Sequence, residues 1–279
     1  MIVLYASELA ACVGLNNFSS IDEVSVSIWK RMDPLGYANA LHRNHVAAKF
    51  SVQDFLGDVQ ISERCLDDTS KKASYTKKPL PELQSLLLEL DDHMTDDVKK
   101  RIDSFINTER GKAAEDDILN QIEQTTQVPI RKRNDKFYKK YILIRAKTTR
   151  TEEYRFLLGG RVDGIDEDGG LIEVKNRRYK LLRHIPMHEK VQIHAYMCLT
   201  DKEECSIVEQ YDDKTHALKL KFDKKFWDMI GQKAALFCTQ LERLISNHTY
   251  QDMFLKTHEL PRTPLLLKTI NMQERPTER

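Results

Sequence analysis

The sequence predicts an α+β (α/β) fold, as one domain over residues 1–260 with a loosely held tail over residues 261–279. Three observations predict it. Apolar residues recur at helical spacing through the first half, the period shortens to two from about Tyr138, and a long amphipathic helix follows at Asp223–Asn247. Residues 1–107 form the helical N-terminal part and residues 108–250 the core, and 279 residues are enough to bury it.

Ser7 is placed to cap a helix over Glu8–Val13, which Gly14 closes. Ile21–Met32 reads as a second helix, ending before Asp33-Pro34, and Gly36–Phe50 as a third. Leu66–Pro79 is rich in Ser, Asp and Lys without an apolar period and reads as a surface loop. Pro81–Leu90, Thr95–Ile106 and about Thr108–Thr126 are further helices. Strands are predicted at Tyr138–Arg145, Tyr154–Asp166 and Leu171–Arg177, then a helix over Pro186–Leu199 and strands over Cys205–Tyr211 and Ala217–Phe222. In the Asp223–Asn247 helix the core face is Phe226, Ile230, Ala234, Phe237, Leu241 and Leu244.

The formal net charge of +1 neither favours nor excludes nucleic acid. An acidic metal site can cancel a basic surface in the total, so the distribution of charge decides. No apolar run reaches the roughly 18 residues a membrane span needs, and Met1–Glu8 is too short and too soon acidic for a signal peptide. The five cysteines, Cys12, Cys65, Cys198, Cys205 and Cys238, are odd in number and show no CxxC, which predicts free thiols in a reducing, intracellular compartment. His42-x-x-His45 and His184-x-x-x-His188 have helical spacing, but with no sulfur or carboxylate ligand beside them they read as solvated or locally bonded histidines.

The chemistry concentrates in one hairpin. Gly160-Arg161-Val162-Asp163-Gly164-Ile165 and Leu171-Ile172-Glu173-Val174-Lys175 flank the turn Asp166-Glu167-Asp168-Gly169-Gly170. Folded about Asp168, the hairpin sets Asp163 opposite Glu173. Alternation puts Lys175 on the face of that pair, with Ile172 and Val174 on the other. Like charges at a cross-strand distance of about 5 Å destabilise a sheet. A hard divalent cation such as magnesium, which prefers oxygen ligands, removes the repulsion. A solvated hairpin is the plainer reading of such a pair alone. Asp163 and Lys175 are expected on an exposed face, where neither carries the core.

Glu115 stands three, four and seven residues before Ile118, Leu119 and Ile122, so it shares their apolar face, where an unpaired carboxylate is costly. Asp116 and Asp117 point elsewhere. Gln192 and Tyr196 lie one turn apart on the helix after the lysine strand. The densest basic run, Arg131-Lys132-Arg133-Asn134-Asp135-Lys136-Phe137-Tyr138-Lys139-Lys140, carries two aromatics able to stack on an unpaired base. Arg177, Arg178, Lys180 and Arg183 follow the lysine strand directly and are the better phosphate-gripping candidates, with Arg177 on the Lys175 face and Arg178 the weaker of the two. Ser7 could bind a terminal phosphate from a helix N-terminus.

The order Glu115, Asp163, Glu173-Val174-Lys175, Gln192-x-x-x-Tyr196 resembles the PD-(D/E)XK nuclease superfamily. Within it the chain is similar to the YqaJ-like viral recombinase group that includes phage lambda exonuclease. The narrower likeness rests on Ala6-Ser7-Glu8-Leu9-Ala10-Ala11-Cys12-Val13-Gly14, on Gly111-Lys112-Ala113-Ala114-Glu115 and on Val191-Gln192-Ile193-His194-Ala195-Tyr196-Met197. Two departures stand out: Val162 replaces the superfamily's proline, and Asn176-Arg177-Arg178 follows the lysine where Cys-Pro is usual.

The resemblance implies a restriction-endonuclease-like core, with a central mixed β-sheet flanked by helices. It also implies metal-dependent phosphodiester hydrolysis. Glu115, Asp163, Glu173 and the Val174 carbonyl would hold one or two Mg²⁺, with Mn²⁺ as a substitute. Lys175 would position the attacking water and Gln192 would fix the water or the lysine. The nucleic-acid contacts would fall to Ser7, Arg131, Arg133, Arg177, Arg178 and Arg183. The implied activity is 5′-to-3′ resection of duplex DNA ends in recombination, repair or viral DNA processing. A single-strand annealing or recombination protein and a homo-oligomer come into view as partners. Sequence does not separate this activity from a structure-specific endonuclease or an RNA nuclease with the same site. A non-catalytic nucleic-acid-binding protein is the third reading, and the complete set of clustered acids and lysine speaks against it.

Overall fold

The computed structural model describes residues 2–46, 115–130, 136–145, 153–212 and 214–257. The readings at Leu66–Pro79, Pro81–Leu90, Thr95–Ile106 and after Pro261, together with Cys65, Arg131 and Arg133, lie outside the described residues. Met1–Ala40 and Glu115–Phe254 form one compact unit, Leu41–Ala114 and Leu255–Arg279 a second. Of the second, only residues 41–46 and 255–257 are described.

The first unit is mixed α and β, as the sequence predicts. It opens with a strand the sequence reading missed, β1 (Ile2–Tyr5), then α1 (Ala6–Cys12). Four residues are too few to show a period. Helix α1 starts one residue before Ser7, so Ser7 lies exposed in its first turn, while the Tyr5 N–H donates to Glu8 Oε2 at 3.3 Å. Helix α2 (Ile21–Met32) has the predicted bounds. Its capping box joins Ser20 N–H to Glu23 Oε2 at 2.9 Å and Glu23 N–H to Ser20 Oγ at 3.2 Å. Helix α3 (Pro34–Arg43) begins at its proline, where a missing N–H costs nothing, and Asp33 Oδ1 accepts the Gly36 N–H at 2.9 Å. It stops before residues 44–46, short of the expected Phe50.

Residues 115–126 are helical (α4), with Ile118 and Leu119 buried and Ile122 half-buried. Strand β2 (Tyr138–Arg145) matches its predicted bounds, but the predicted Tyr154–Asp166 strand divides into β3 (Glu153–Gly160) and β4 (Gly164–Ile165). β1 and β2 flank β3, parallel and antiparallel respectively, in a three-stranded sheet. After Arg161, Val162 and Asp163 the chain enters a four-stranded sheet of β4, β5 (Leu171–Asn176), β6 (Glu204–Tyr211) and β7 (Lys214–Lys221), in that order. Both sheets are mixed, where the resemblance implied one.

Helix α5 (Met187–Thr200) packs against α1 and β3, and α6 (Lys224–Ser246) against α1, α2, β2 and β3. Asp223 caps α6, and of its expected core face only Phe226 stays half-buried, against the His194 ring. Ile230, Phe237, Leu241 and Leu244 are each buried, worth about 1.5–3 kcal/mol apiece. A last helix, α7 (His248–Thr257), was not read from the sequence. Among the described residues Cys12, Cys198, Cys205 and Cys238 are free thiols, and no helix is long and apolar enough to cross a membrane.

Candidate active site

The hairpin register is the one its sequence symmetry predicts. Gly164 pairs with Ile172 and Ile165 with Leu171, so the next rung sets Asp163 beside Glu173. The turn closes through Asp166 N–H to the Gly170 carbonyl at 3.0 Å and Gly170 N–H to Asp166 Oδ1 at 2.5 Å. Asp163 Oδ2 accepts the Val174 N–H at 2.8 Å. The Lys175 ammonium donates to Glu173 Oε1 at 2.6 Å and to Gln192 Oε1 at 3.3 Å. The Gln192 amide in turn donates to the Tyr196 hydroxyl at 2.9 Å. Four of the expected site residues therefore meet, and Tyr196 extends the chain.

The site is not on an exposed face, which corrects one expectation. Glu173 is 2% exposed and the Lys175 side chain 18%, while Ile172 and Val174 are buried on the opposite face. β5 is buried on both faces from Leu171 to Val174 and opens only at Lys175 and Asn176. The Tyr196 ring helps close the cover: a Cβ at Gly160 would come within 2.9 Å of it, so only glycine lets the helix approach β3 this closely.

Burial, then the charge of Glu115, raises the Asp163 pKa to about 6, against the opposing pull of Lys175 and of the Val174 N–H. Burial, then the Asp163 charge, raises that of Glu173. For Lys175, burial favours the neutral amine, but the charges of Glu173, Asp163 and Glu189 outweigh it and hold the ammonium. Glu115, half-buried in the first described turn of α4, thus acts on Asp163 through its field. Gly164 explains how that helix comes near: Ile130 and Leu119 occupy the space a side chain would take there. Asp116 and Asp117 are exposed, as expected.

Glu173 Oε2 is buried without a hydrogen-bond partner. A buried carboxylate oxygen left so must be compensated by a proton or a cation. Among the described residues no three His, Cys, Asp or Glu side chains form a ready-made cation cage. Two carboxylates and the charge of a third do converge, and their oxygens suit a hard divalent ion.

The structure gives Arg177 a different engagement from the phosphate grip expected of it. Its guanidinium spans Glu189, at 2.5 and 2.9 Å, and Glu209, at 2.7 Å from Nε. Its side chain is 13% exposed, with every edge taken up by these acids. Glu209 also accepts the Arg183 backbone N–H at 2.9 Å, which ties down the loop after β5. Arg178 and the Arg183 side chain remain exposed. Of the aromatics in the basic run, Phe137 packs edge-on to Tyr5 at 5.9 Å and fills the space over Gly159. Sequence reasoning passed over Glu189 and Glu209, although the signal was present. Glu189 precedes Ile193 and Tyr196 by four and seven residues, and Glu209 alternates with Cys205 and Ile207, so each acid lies on an apolar face.

No protein-family model matches the chain, and no curated protein matches it. Among solved structures, a phage-related exonuclease from Haemophilus somnus is 12% identical at a TM-score of 0.42, covering 88% of this chain and 96% of that one. An alkaline exonuclease from Laribacter hongkongensis is 17% identical at a TM-score of 0.37, covering 70% of this chain and 100% of that one. At such TM-scores neither likeness fixes the chemistry of this chain, which stands on its own residues.

Proposed function

We propose that the chain is a metal-dependent deoxyribonuclease that hydrolyses phosphodiester bonds at duplex DNA ends. The observation that carries this reading is the Asp163–Glu173 pair, in which Glu173 is buried with one carboxylate oxygen unbonded and the other held by the Lys175 ammonium. Asp163 and Glu173, with Glu115 and the Val174 carbonyl, would hold Mg²⁺, or Mn²⁺ in its place. The chemistry such an ion supplies is activation of water and neutralisation of charge on the phosphate. Lys175 is a fixed cation rather than a base, because the acids around it hold its proton. Anchored by Glu173 and Gln192, it orients the attacking water and offsets the charge that builds on the phosphate oxygens. Gln192 keeps its carbonyl toward Lys175 because its amide is engaged by Tyr196.

The resemblance to the YqaJ-like group supports an exonuclease, 5′-to-3′ polarity, and a setting in recombination, repair or viral DNA processing with an annealing partner. The test is incubation with Mg²⁺ and end-labelled linear duplex, circular duplex, single-stranded DNA and RNA. Release of nucleotides from linear duplex, stopped by EDTA, is expected. Cleavage of the circular duplex would make the chain an endonuclease, and full activity in EDTA would end the metal reading.

A further inference from the structure

Two exposed aromatic rings are tied to the segments that carry this site, Tyr179 in the loop after β5 and Phe18 through His188 of α5. Phe18 is 82% exposed and Tyr179 72%. Scattered apolar side chains are ordinary on a protein surface, but each of these rings is held in place. The Phe18 N–H donates to Asn16 Oδ1 at 2.8 Å, and its ring meets that of His188 edge-on at 5.3 Å. The Arg178 guanidinium lies over the Tyr179 ring at 5.0 Å.

The buried Arg177–Glu189 ion pair joins the two. Arg178 directly follows Arg177, and His188 directly precedes Glu189. The same pair adjoins the reacting groups: Lys175 is two residues before Arg177 on the chain, and Gln192 three after Glu189. The loop is pinned at both ends, by Arg177 N–H to the Gln210 carbonyl at 2.7 Å and by Arg183 N–H to Glu209. Between those pins Arg178, Lys180 and the Arg183 side chain are exposed cations. Exposed rings, flanked by positive charge on segments that lead into the proposed cleavage site, match one ligand chemistry: unpaired bases on a charged backbone. Stacking on aromatics is tolerant of base identity and needs the bases free of a duplex.

Resting on the nuclease reading, we propose that Phe18 and Tyr179 are stacking residues that grip unpaired bases of the strand entering the site, with Arg178, Lys180 and Arg183 on its phosphates. The site then takes a frayed or single-stranded end in preference to a closed duplex.

The test uses the full chain in EDTA, so that binding is read without hydrolysis. Fluorescence anisotropy compares a short labelled oligo(dT), the same strand with abasic sugars at its terminal positions, oligo(rU), and a blunt duplex. Wild type should bind oligo(dT) roughly tenfold more tightly than the abasic strand, the scale of one lost stack. Phe18→Ala and Tyr179→Ala should remove that preference, and Phe18→Tyr and Tyr179→Phe should keep it. Oligo(rU) should follow oligo(dT), since a base face is all that is read. Blunt duplex binding should be unchanged by either alanine. A wild type indifferent to abasic sites, alanine variants that still discriminate, or equal losses on duplex would each overturn the proposal. Hydrolysis by wild type in Mg²⁺ is measured in parallel: its absence counts against the nuclease reading, whereas hydrolysis without stacking discrimination counts against this inference alone.

Discussion

Lys175 Nζ lies 2.6 Å from Glu173 Oε1, two residues back on the same strand and enclosed with it. This pairing gives the lysine a fixed place and leaves the other Glu173 oxygen for a ligand. Lys175→Ala is expected to reduce hydrolysis by about 100- to 1,000-fold, the scale of losing one preorganised donor to a developing anion. The protein should still fold, but less stably, since Glu173 is left buried without its partner. Steady-state cleavage of labelled duplex, with circular dichroism on the same preparation, measures both.

The acid pair should make stability pH-dependent in a definite direction. Asp163 and Glu173 have pKa values raised in the folded state, so the folded chain keeps protons that the unfolded chain has released. Their contribution is therefore lost as pH rises from the ordinary carboxylate range through the raised values. A bound cation replaces the proton, so the increase in Tm on adding Mg²⁺ should grow across that same window. In Asp163→Asn with Glu173→Gln that increase should vanish. Thermal unfolding with and without Mg²⁺, at several pH values, measures it.

Arg177 and Arg178 should separate cleanly. Arg177→Ala strands Glu189 and Glu209 in the interior and is expected to destabilise the fold by about 3–5 kcal/mol. Arg178→Ala, at an exposed position, should change stability by less than about 0.5 kcal/mol. Urea denaturation of the two variants decides it, and a tolerant Arg177→Ala would contradict the buried triad.

His194 offers a further check on how α5 is held. It is buried, accepts the Asp223 N–H at Nε2 at 3.1 Å and meets the Lys190 carbonyl through Nδ1 at 2.8 Å, so it is held neutral. Burial lowers its pKa, so its contribution is present above the ordinary histidine value and lost as pH falls through the lowered one. His194→Gln should flatten that part of the stability–pH profile.

The hairpin was legible because its register is local. A symmetric turn about Asp168 sets Asp163 against Glu173, and alternation carries Lys175 to the same face. Gln192 was legible from helical spacing toward Tyr196. The fate of Arg177 was not, because its partners lie 12 and 32 residues away on elements whose docking no local period reports. The same limit hid the burial of the site, since Gln192 and Tyr196 of α5 close over it. The break between β3 and β4 was hidden for another reason: apolar Val162 continues the alternation although the chain changes sheet there.

The most direct test of the account is diffraction from crystals grown with Mn²⁺, using its anomalous signal to locate the ion. The account requires a peak about 2.0–2.3 Å from oxygens of both Asp163 and Glu173, with Glu115 in or beside the coordination shell. A protein saturated with Mn²⁺ and cleaving DNA, but with no ion touching that pair, would contradict it.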